Sequence, residues 1–365
     1  MADTISFARG APSLDIVDVE GLSAAAQRAF ANDPGGLTAY GTAIGYVPLR
    51  KWIAEKHGVD ESRVLVTNGS MQADAFLFQT LVQSGSDVVV EKPTYDRTLL
   101  NLKSLGAQIH MVSLERDGIS TDELAGLLRG GVKPSLAHVI PNFQNPAGYT
   151  LSLEKRRALL DLAGEFGFPI FEDDPYIDIR FAGESLPTML SLDESDDKVV
   201  YASSFSKTVA PGVRVGYLVG PAGLIDDIRK LATNTYIAPN MVAQGIVYEF
   251  CASGAIDRSI ATVKAALAER VDILCDALAE HLPEATFQKP EGGYFMWVSL
   301  PEGSDIDAIF AAASERGVAI VKGTDFLLEG GENTLRLAYS GVTADQIEEG
   351  VKRLAEAVHA VPVAG

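Results

Sequence analysis

The sequence is poor in cysteine and tryptophan, and it has no long uninterrupted apolar run. Its two cysteines, Cys251 and Cys275, are too few for a disulfide framework, and no CxxC or HExxH motif suggests a metal site. Both lie in apolar helical surroundings and are expected to be buried free thiols, as in a reducing cytoplasm. No stretch approaches the roughly 20 apolar residues of a membrane helix. The N-terminus also lacks the basic and apolar regions of a signal peptide, so we expect a cytoplasmic protein. From the missing metal motifs we expect no metal site.

Positive charge is scarce as well. The 365 residues include 30 Lys and Arg against 49 Asp and Glu, a formal net charge of −19. Scattered acidic residues argue against nucleic acid or an anionic membrane as a partner. The length predicts two domains, or one large domain with a smaller one packed on it, and an apolar content of 47% is ample for a core.

Between residues 64 and 220, short apolar segments typical of buried strands alternate with helical segments. This alternation predicts an α/β fold, with a mostly parallel sheet covered by helices on both faces. In such sheets ligands bind beyond the carboxyl ends of the strands. Helical composition then runs from Leu224 to about Phe250 and from Ile256 to about Leu282. Residues 287–365 are expected to form a compact α+β unit.

A single lysine, Lys207, follows a predicted buried strand, 199–202. A lysine between buried strands is costly unless something pairs with it or consumes its charge, and condensation with a carbonyl cofactor does the second. Ser204, Ser206 and Arg214 have the composition of a phosphate site. A phosphate-bearing aldehyde held by lysine indicates pyridoxal phosphate. The alternative is a lysine that extends from a strand-loop junction to solvent.

Further candidate site residues lie within or just after other predicted strands. Ser70 and Met71 lie in a Gly-Ser turn between a strand and a helix, where free backbone N–H groups form an anion site, although a simple helix cap would explain the same residues. Arg336 lies inside an apolar strand, where a substrate carboxylate is a natural bidentate partner and a structural salt bridge is the alternative. Tyr95, Asn145 and Tyr176 could equally be core or turn residues taken one at a time.

The segment Ser204-Phe205-Ser206-Lys207, followed by Pro211-Gly212 and Arg214-Val215-Gly216-Tyr217, resembles the lysine motif of fold-type I aminotransferases. Among the class I/II enzymes it is most similar to the 2-aminoadipate, kynurenine and aromatic aminotransferase branch. The resemblance implies a pyridoxal-phosphate-dependent transferase fold of type I, with a mostly parallel seven-stranded sheet in a large domain and a smaller α+β domain. We expect the large domain at 40–250 and the small domain at 1–39 and 251–365.

The resemblance also implies roles for individual residues. The pattern Asp-x-x-Tyr assigns Asp173 to the protonated ring nitrogen, and Tyr176 with Asn145 to the phenolic oxygen of the cofactor. Tyr95 would stack on the ring. The remaining cofactor contacts would face the phosphate: Ser70, Met71, Ser204, Ser206 and Arg214 from one subunit and Tyr40 from its neighbour.

The implied reaction is transfer of an amino group from a 2-amino acid to a 2-oxo acid such as 2-oxoglutarate or pyruvate. Lys207 would act as base and then acid, Arg336 would bind the substrate α-carboxylate, and Arg9 would meet a distal substrate group. The donor is expected to carry an aromatic, branched or long side chain, and the enzyme to be a homodimer with shared active sites. Decarboxylation, β-elimination or oxidation on the same cofactor is the alternative. A regulator's effector domain is rejected, because fewer than about forty residues precede Tyr40 and the chain is acidic.

Overall fold

The computed structural model describes residues 4–363. The chain begins with a short strand and three helices. Two of these helices start at aspartates, since Asp18 accepts a hydrogen bond from the amide of Gly21 and Asp33 from the amide of Gly36. These elements are β1 (Ile5–Ser6), α1 (Val19–Asn32), α2 (Pro34–Thr38) and α3 (Val47–His57).

The middle of the chain alternates strands and helices, as the sequence predicts. Its elements are β2 (Val64–Thr67), α4 (Ser70–Leu81), β3 (Asp87–Lys92), α5 (Asp96–Ser104), β4 (Gln108–Glu115), β5 (Gly118–Ile119), α6 (Thr121–Arg129), β6 (Pro134–Val139), α7 (Leu153–Phe166), β7 (Ile170–Asp173), α8 (Met189–Leu192), β8 (Val199–Ser204) and β9 (Gly216–Val219).

The C-terminal part is richer in helix. Its elements are α9 (Ala222–Tyr236), α10 (Met241–Ala252), α11 (Ala255–His281), β10 (Thr286–Phe287), β11 (Phe295–Ser299), α12 (Ile306–Glu315), β12 (Val318–Ala319), β13 (Val321–Lys322), β14 (Thr334–Ala338) and α13 (Ala344–Ala360).

The large sheet has the strand order β2-β9-β8-β7-β6-β3-β4-β5. Strands β8, β7, β6, β3 and β4 are parallel to one another, whereas β9 runs antiparallel between β2 and β8, and β5 runs antiparallel to β4. The mostly parallel α/β sheet is therefore confirmed, and the two-residue strand β5 extends the seven expected strands by one. Because β3, β6, β7 and β8 are parallel, their carboxyl ends meet at one edge of the sheet.

The smaller sheet is antiparallel, with the order β10-β11-β14-β13. Strand β1 pairs in parallel with β12, so the N-terminal segment packs onto this C-terminal unit. The sequence predicts one strand over 318–321, but this segment is divided between two sheets. Val318 faces β1, and Val321 pairs with Arg336 of β14.

The helical stretch from Leu224 to Phe250 is interrupted, which the sequence analysis did not predict. Helix α9 ends at Tyr236 and α10 begins at Met241. Ile237 has a φ of +67°, and Pro239 follows it in the connection. A proline lacks the N–H that would continue the helix, so the break has a local cause in the sequence.

Three apolar clusters form the core. Two cover the faces of the large sheet, and the third lies between the small sheet, α11 and α13. The N-terminal segment is divided between them, because Phe7 joins the third cluster and Ala25 of α1 joins the first. The domain boundaries at residues 40 and 250 stay a prediction. Within residues 4–363, no helix is long and apolar enough to span a membrane.

Candidate active site

One large cavity lies at the carboxyl edge of the sheet, where the C-terminal unit and the N-terminal segment also meet. Its volume is about 980 Å³. All the predicted site residues except Tyr40 line it: Arg9, Ser70, Met71, Tyr95, Asn145, Asp173, Tyr176, Ser204, Ser206, Lys207, Arg214 and Arg336. The structure therefore brings together side chains that are up to 327 residues apart in the chain, as from Arg9 to Arg336.

Lys207 lies in the loop after β8, and its side chain is enclosed by aromatic rings. Its Nζ lies 5.0 Å from the ring centroid of Tyr294 and 5.4 Å from that of Tyr176. It donates a hydrogen bond of 2.8 Å to the carbonyl of Gly10. Burial, reinforced by the positive charges of Arg336 and Arg214, lowers the pKa of Lys207 to about 8. A substantial fraction of this amine is therefore neutral near physiological pH, as a nucleophile or base requires.

The phosphate-type cradle is built from three chain segments. Ser204 accepts a hydrogen bond from the amide of Ser206, and the two hydroxyls are 2.9 Å apart. Arg214 reaches the hydroxyl of Ser206 at 3.4 Å. Gly69, with a φ of +85°, lies against the guanidinium of Arg214, and a Cβ at this position would collide with it. The amide end of α4 at Ser70, the hydroxyls and the guanidinium thus converge as a set of donors for an anion.

Asp173 is at the carboxyl end of β7, and its buried side chain lines the cavity. Its Oδ2 lies 3.4 Å from Nε2 of His138, a long distance for a hydrogen bond. A buried carboxylate with weak internal partners can accept a strong hydrogen bond from a cationic ring nitrogen. Its neighbour Asp174 faces away and is bonded by Asn142, so Asp173 is the carboxylate that faces the cavity.

Arg336 lies on β14, within the small sheet. Its Nη1 donates to Oδ1 of Asn145 at 2.9 Å, and its Nη2 donates to the carbonyl of Ala8 at 2.7 Å. Its guanidinium lies over the rings of Phe295 and Phe326, at 4.2 and 4.9 Å from their centroids. Among residues 4–363, no carboxylate forms a salt bridge with Arg336, and its buried Nε has no hydrogen-bond partner. This arginine lacks the structural ion pair that was its alternative explanation.

Three further predicted residues surround the centre of the cavity. The Tyr95 hydroxyl reaches the sulfur of Met71 at 3.9 Å, and burial raises the pKa of Tyr95 to about 12. Tyr176 is buried, and its ring packs at 5.5 Å from that of Tyr294. Arg9 is exposed at the cavity wall, between two residues whose carbonyls bind Arg336 and Lys207.

Tyr40 is the one predicted site residue outside the cavity. Its side chain is 89% exposed, on a surface that it shares with Gly41 and Met241. A tyrosine so exposed makes no contribution to the site of its own chain. Its predicted role across a subunit boundary therefore stays a prediction.

Sequence reasoning missed several residues of the site. Asp74 lines the cavity one turn into α4, where the only signal was an acid among apolar neighbours. Gly10 and Ala8 contribute their backbone carbonyls, and because every residue has a carbonyl, no residue type predicts these contacts. Tyr294 follows Gly292 and Gly293, which the sequence marks as a place where the backbone approaches closely, but the sequence gives no role to the tyrosine itself. Its hydroxyl donates to the carbonyl of Lys207 at 3.1 Å. Cys275 is only half-buried, whereas Cys251 is buried as expected.

The side chains present fit pyridoxal phosphate. The converging donors at Ser70, Ser206 and Arg214 suit its phosphate, and Lys207 suits its aldehyde. Asp173 supplies the carboxylate that a pyridinium requires. The buried Nε of Arg336 has no hydrogen-bond partner among residues 4–363, and the glycine at position 69 leaves room for the Arg214 guanidinium beside the cradle.

Comparison with known proteins agrees with this geometry. Residues 2–354 match the family described as aminotransferase class I and II. The chain is 32% identical to aromatic-amino-acid aminotransferase 1 of Thermococcus litoralis, over 98% of this chain and 88% of the relative.

Two solved structures share the whole fold. One is an alpha-aminoadipate aminotransferase of Thermus thermophilus complexed with N-(5'-phosphopyridoxyl)-L-leucine, with a TM-score of 0.94 and 31% identity, over 98% of this chain and 92% of that one. The other is a kynurenine aminotransferase of Pyrococcus horikoshii, with a TM-score of 0.94 and 33% identity, over 99% and 92%. The chain belongs to the class I and II aminotransferases, pyridoxal-phosphate enzymes that move amino groups between amino acids and 2-oxo acids.

Proposed function

We propose that this aminotransferase takes its amino group from a 2-amino acid with an aromatic, branched or long side chain. We further propose that a 2-oxo acid such as 2-oxoglutarate or pyruvate accepts it. The relatives that carry this proposal are named for aromatic amino acids, 2-aminoadipate and kynurenine. The large cavity and its aromatic walls, Tyr95, Phe295 and Phe326, suit such side chains.

When bound, pyridoxal phosphate supplies an electron sink that makes the α-proton of an amino acid acidic. Lys207 Nζ would remove that proton and later return it, since its lowered pKa lets one amine act as base and then as acid. Asp173 would hold the ring nitrogen in its cationic form, and Tyr176 with Asn145 would bind the phenolic oxygen. Ser70, Met71, Ser204, Ser206 and Arg214 would enclose the phosphate, with Tyr95 stacked on the ring, and these roles rest on their positions around the cavity.

Arg336 would bind the α-carboxylate of either substrate. Its Nη1 and Nη2 now contact the oxygens of Asn145 and Ala8, which a bidentate carboxylate would replace. Arg9 would contact the distal part of the substrate, because its exposed side chain lies at the wall of the same cavity. The lack, within residues 4–363, of a carboxylate partner for Arg336 is the observation that carries this assignment.

A homodimer with shared active sites is part of the proposal. The exposed Tyr40 lines a surface groove with the apolar residues Leu37, Pro239 and Met241. A large aromatic side chain left this exposed is typical of a surface that another chain covers. Tyr40 would then reach the phosphate region of the partner subunit. A cytoplasmic location likewise remains a prediction.

The proposal is tested by the absorbance of the purified protein after pyridoxal phosphate is added. A visible band is expected from the wild type and from Lys230→Ala, which changes an exposed lysine on α9, but not from Lys207→Ala. Amino acids are then added one at a time without an oxo acid. The band should fall for donor substrates and return on addition of a 2-oxo acid.

Two results would contradict the proposal. A visible band that persists in Lys207→Ala would remove the role of that lysine. Release of carbon dioxide or consumption of oxygen, in place of a reversible fall, would mean that amino-group transfer is not the main reaction.

A further inference from the structure

Asp74 is a buried acid for which the proposed reaction has no use. It lies in α4, one turn after Ser70, and is only 5% exposed. It lines the same cavity as Asp173 and Lys207. Its Oδ1 is fully buried and has no hydrogen-bond partner among residues 4–363. An unpaired buried carboxyl costs free energy, so a partner in the working site is expected.

The surroundings of Asp74 disfavour a negative charge. Burial raises the pKa of Asp74 well above its usual value, and the charge of Asp173 raises it further. The other titratable groups around Asp74 and Asp173 are Tyr95, His138, Glu91 and Lys207. Of these, His138 and Lys207 are cations when protonated; His138 lies 3.4 Å from Asp173, and Asp173 also interacts with Lys207. Glu91 is itself held toward its neutral form by burial. A neutral carboxylic acid can donate a hydrogen bond, which an ionised carboxylate cannot do.

Charge balance decides which acid keeps the proton. One pyridinium needs one buried negative charge, and Asp173 supplies it under the proposed function, on which this inference rests. A second adjacent negative charge would be uncompensated, because two carboxylates that share a desolvated site do not both ionise readily. We propose that Asp74 stays protonated in the working enzyme and donates a hydrogen bond within the occupied site, so that Asp173 alone supplies negative charge to the cofactor's ring nitrogen.

The test compares two substitutions at this position. Asp74→Asn keeps a neutral side chain that can donate, whereas Asp74→Leu removes both donor and acceptor. The dissociation constant of pyridoxal phosphate is measured for each protein between pH 6 and pH 10. At pH 7, Asp74→Asn should bind within about twofold of the wild type, and Asp74→Leu about tenfold more weakly, as expected for one lost hydrogen bond to a charged group.

The pH dependence separates a proton-holding role from a structural one. As the pH rises, wild-type Asp74 loses its proton and places a second negative charge beside Asp173. Cofactor affinity of the wild type should then fall by about tenfold relative to Asp74→Asn, which has no proton to lose. A ratio of the two dissociation constants that is constant from pH 6 to pH 10 would overturn the proposal.

The visible band supplies a second, independent readout. If Asp74 carried a negative charge at neutral pH, Asp74→Asn would lower the pH midpoint of this band by about one unit, because a nearby anion stabilises a cation. We expect no such shift, and observing it would overturn the proposal. If the leucine side chain prevents folding, Asp74→Ala takes the place of Asp74→Leu. Equal affinities of Asp74→Ala and the wild type for pyridoxal phosphate would also overturn the proposal.

Asp96→Asn is the matched control. Asp96 lines the same cavity but is partly exposed and lies 3.5 Å from Arg97, so neutralising it should leave the pH dependence unchanged. Failure of the proposed function looks different: the wild type itself would then give no visible band at any pH. The two hypotheses therefore fail separately.

Discussion

Two neighbouring aspartates at the end of β7 face opposite sides of the sheet, and they are held very differently. Asp173 faces the cavity, where its only hydrogen-bonding neighbour among the described residues is His138 at 3.4 Å. Asp174 faces the other side and receives two hydrogen bonds, of 3.0 and 2.9 Å, from the amide of Asn142. Both are buried, so burial alone does not separate a functional carboxyl from a structural one.

The partners make the difference. Behind Asp174, Arg156 donates to Asn142 at 2.9 Å and to the carbonyls of Leu151 and Pro187. Every member of that network has its bonds within the protein. On the cavity side, Asp74, Asp173 and Arg336 keep bonding capacity that the protein does not use. Unused capacity in a buried polar group is therefore the better indicator of a binding site.

The strongest test of this contrast exchanges each aspartate for alanine. Asp173→Ala should lower the catalytic rate by about 10³-fold, because the cationic ring nitrogen loses its counter-charge, and should leave the unfolding free energy little changed. Asp174→Ala should cost about 3 kcal/mol of stability, since it leaves the Asn142 amide without its acceptor. Steady-state rates and urea denaturation measure the two effects. Equal losses of stability in the two variants would remove the distinction.

Arg336→Lys probes the unused donors on the cavity side. A lysine keeps the charge but cannot bind a carboxylate with two parallel bonds, so KM for the amino acid should rise about 100-fold. Arg180→Lys is the control, because Arg180 is already paired with Glu291 at 2.8 Å. That variant should lose some stability and keep its KM, and a similar rise in both would contradict the assignment.

The pH dependence of cofactor loading tests the environment of Lys207. The ammonium form cannot attack an aldehyde, so loading of the cofactor-free protein should accelerate as pH rises through about 8, the lowered pKa of this lysine. From pH 7 to pH 9 the neutral fraction rises about tenfold. Stopped-flow absorbance follows the appearance of the visible band. A midpoint near 10.5, as for an exposed lysine, would mean that the cavity does not desolvate the amine.

Glu91→Gln should have the smallest effect of these substitutions, and it lies on the face of the sheet opposite to Asp173. Glu91 accepts hydrogen bonds from the amides of Ile140 and Gln144, and burial raises its pKa from 4.5 to about 8. Because the folded-state pKa is the higher one, the stability that Glu91 contributes is fully present below about pH 4.5 and is lost as pH rises toward 8. Glutamine has no such loss, so the variant should be more stable at pH 8, on the order of 2 kcal/mol, and equal at pH 4. Urea denaturation at pH 4 and pH 8 measures the unfolding free energies. The same difference between variant and wild type at both pH values would contradict the prediction.

The sequence predicts much of this molecule because its signals are local. Buried strands followed by polar residues place Asp173 and Lys207 at the same sheet edge, and the serine-lysine motif adds a family resemblance. The break between α9 and α10 also has a local signal, Pro239, but the helical composition on either side led to a prediction of one continuous helical stretch. Asp74 was not readable, because an acid in the first turns of a helix is an ordinary N-terminal residue until tertiary packing buries it.

Backbone contacts were beyond sequence reasoning altogether. The carbonyls of Ala8 and Gly10 bind Arg336 and Lys207, but any residue type offers a carbonyl. Likewise, the division of residues 318–321 between two sheets depends on the partners β1 and β14, which only the tertiary structure brings together.

The contact between Ala8 and Arg336 also bears on how the protein is made. These residues are separated by 328 positions, so the loop between them closes only after nearly all of the chain has been synthesised. Residues 70–214, which carry the cradle and the lysine, leave the ribosome much earlier and can pack as a parallel sheet on their own side of the cavity. During synthesis the lysine pocket therefore precedes its arginine. The N-terminal segment is made first, but its partner strand β12 is made late, so that edge of the sheet stays exposed until the strands of the C-terminal unit arrive.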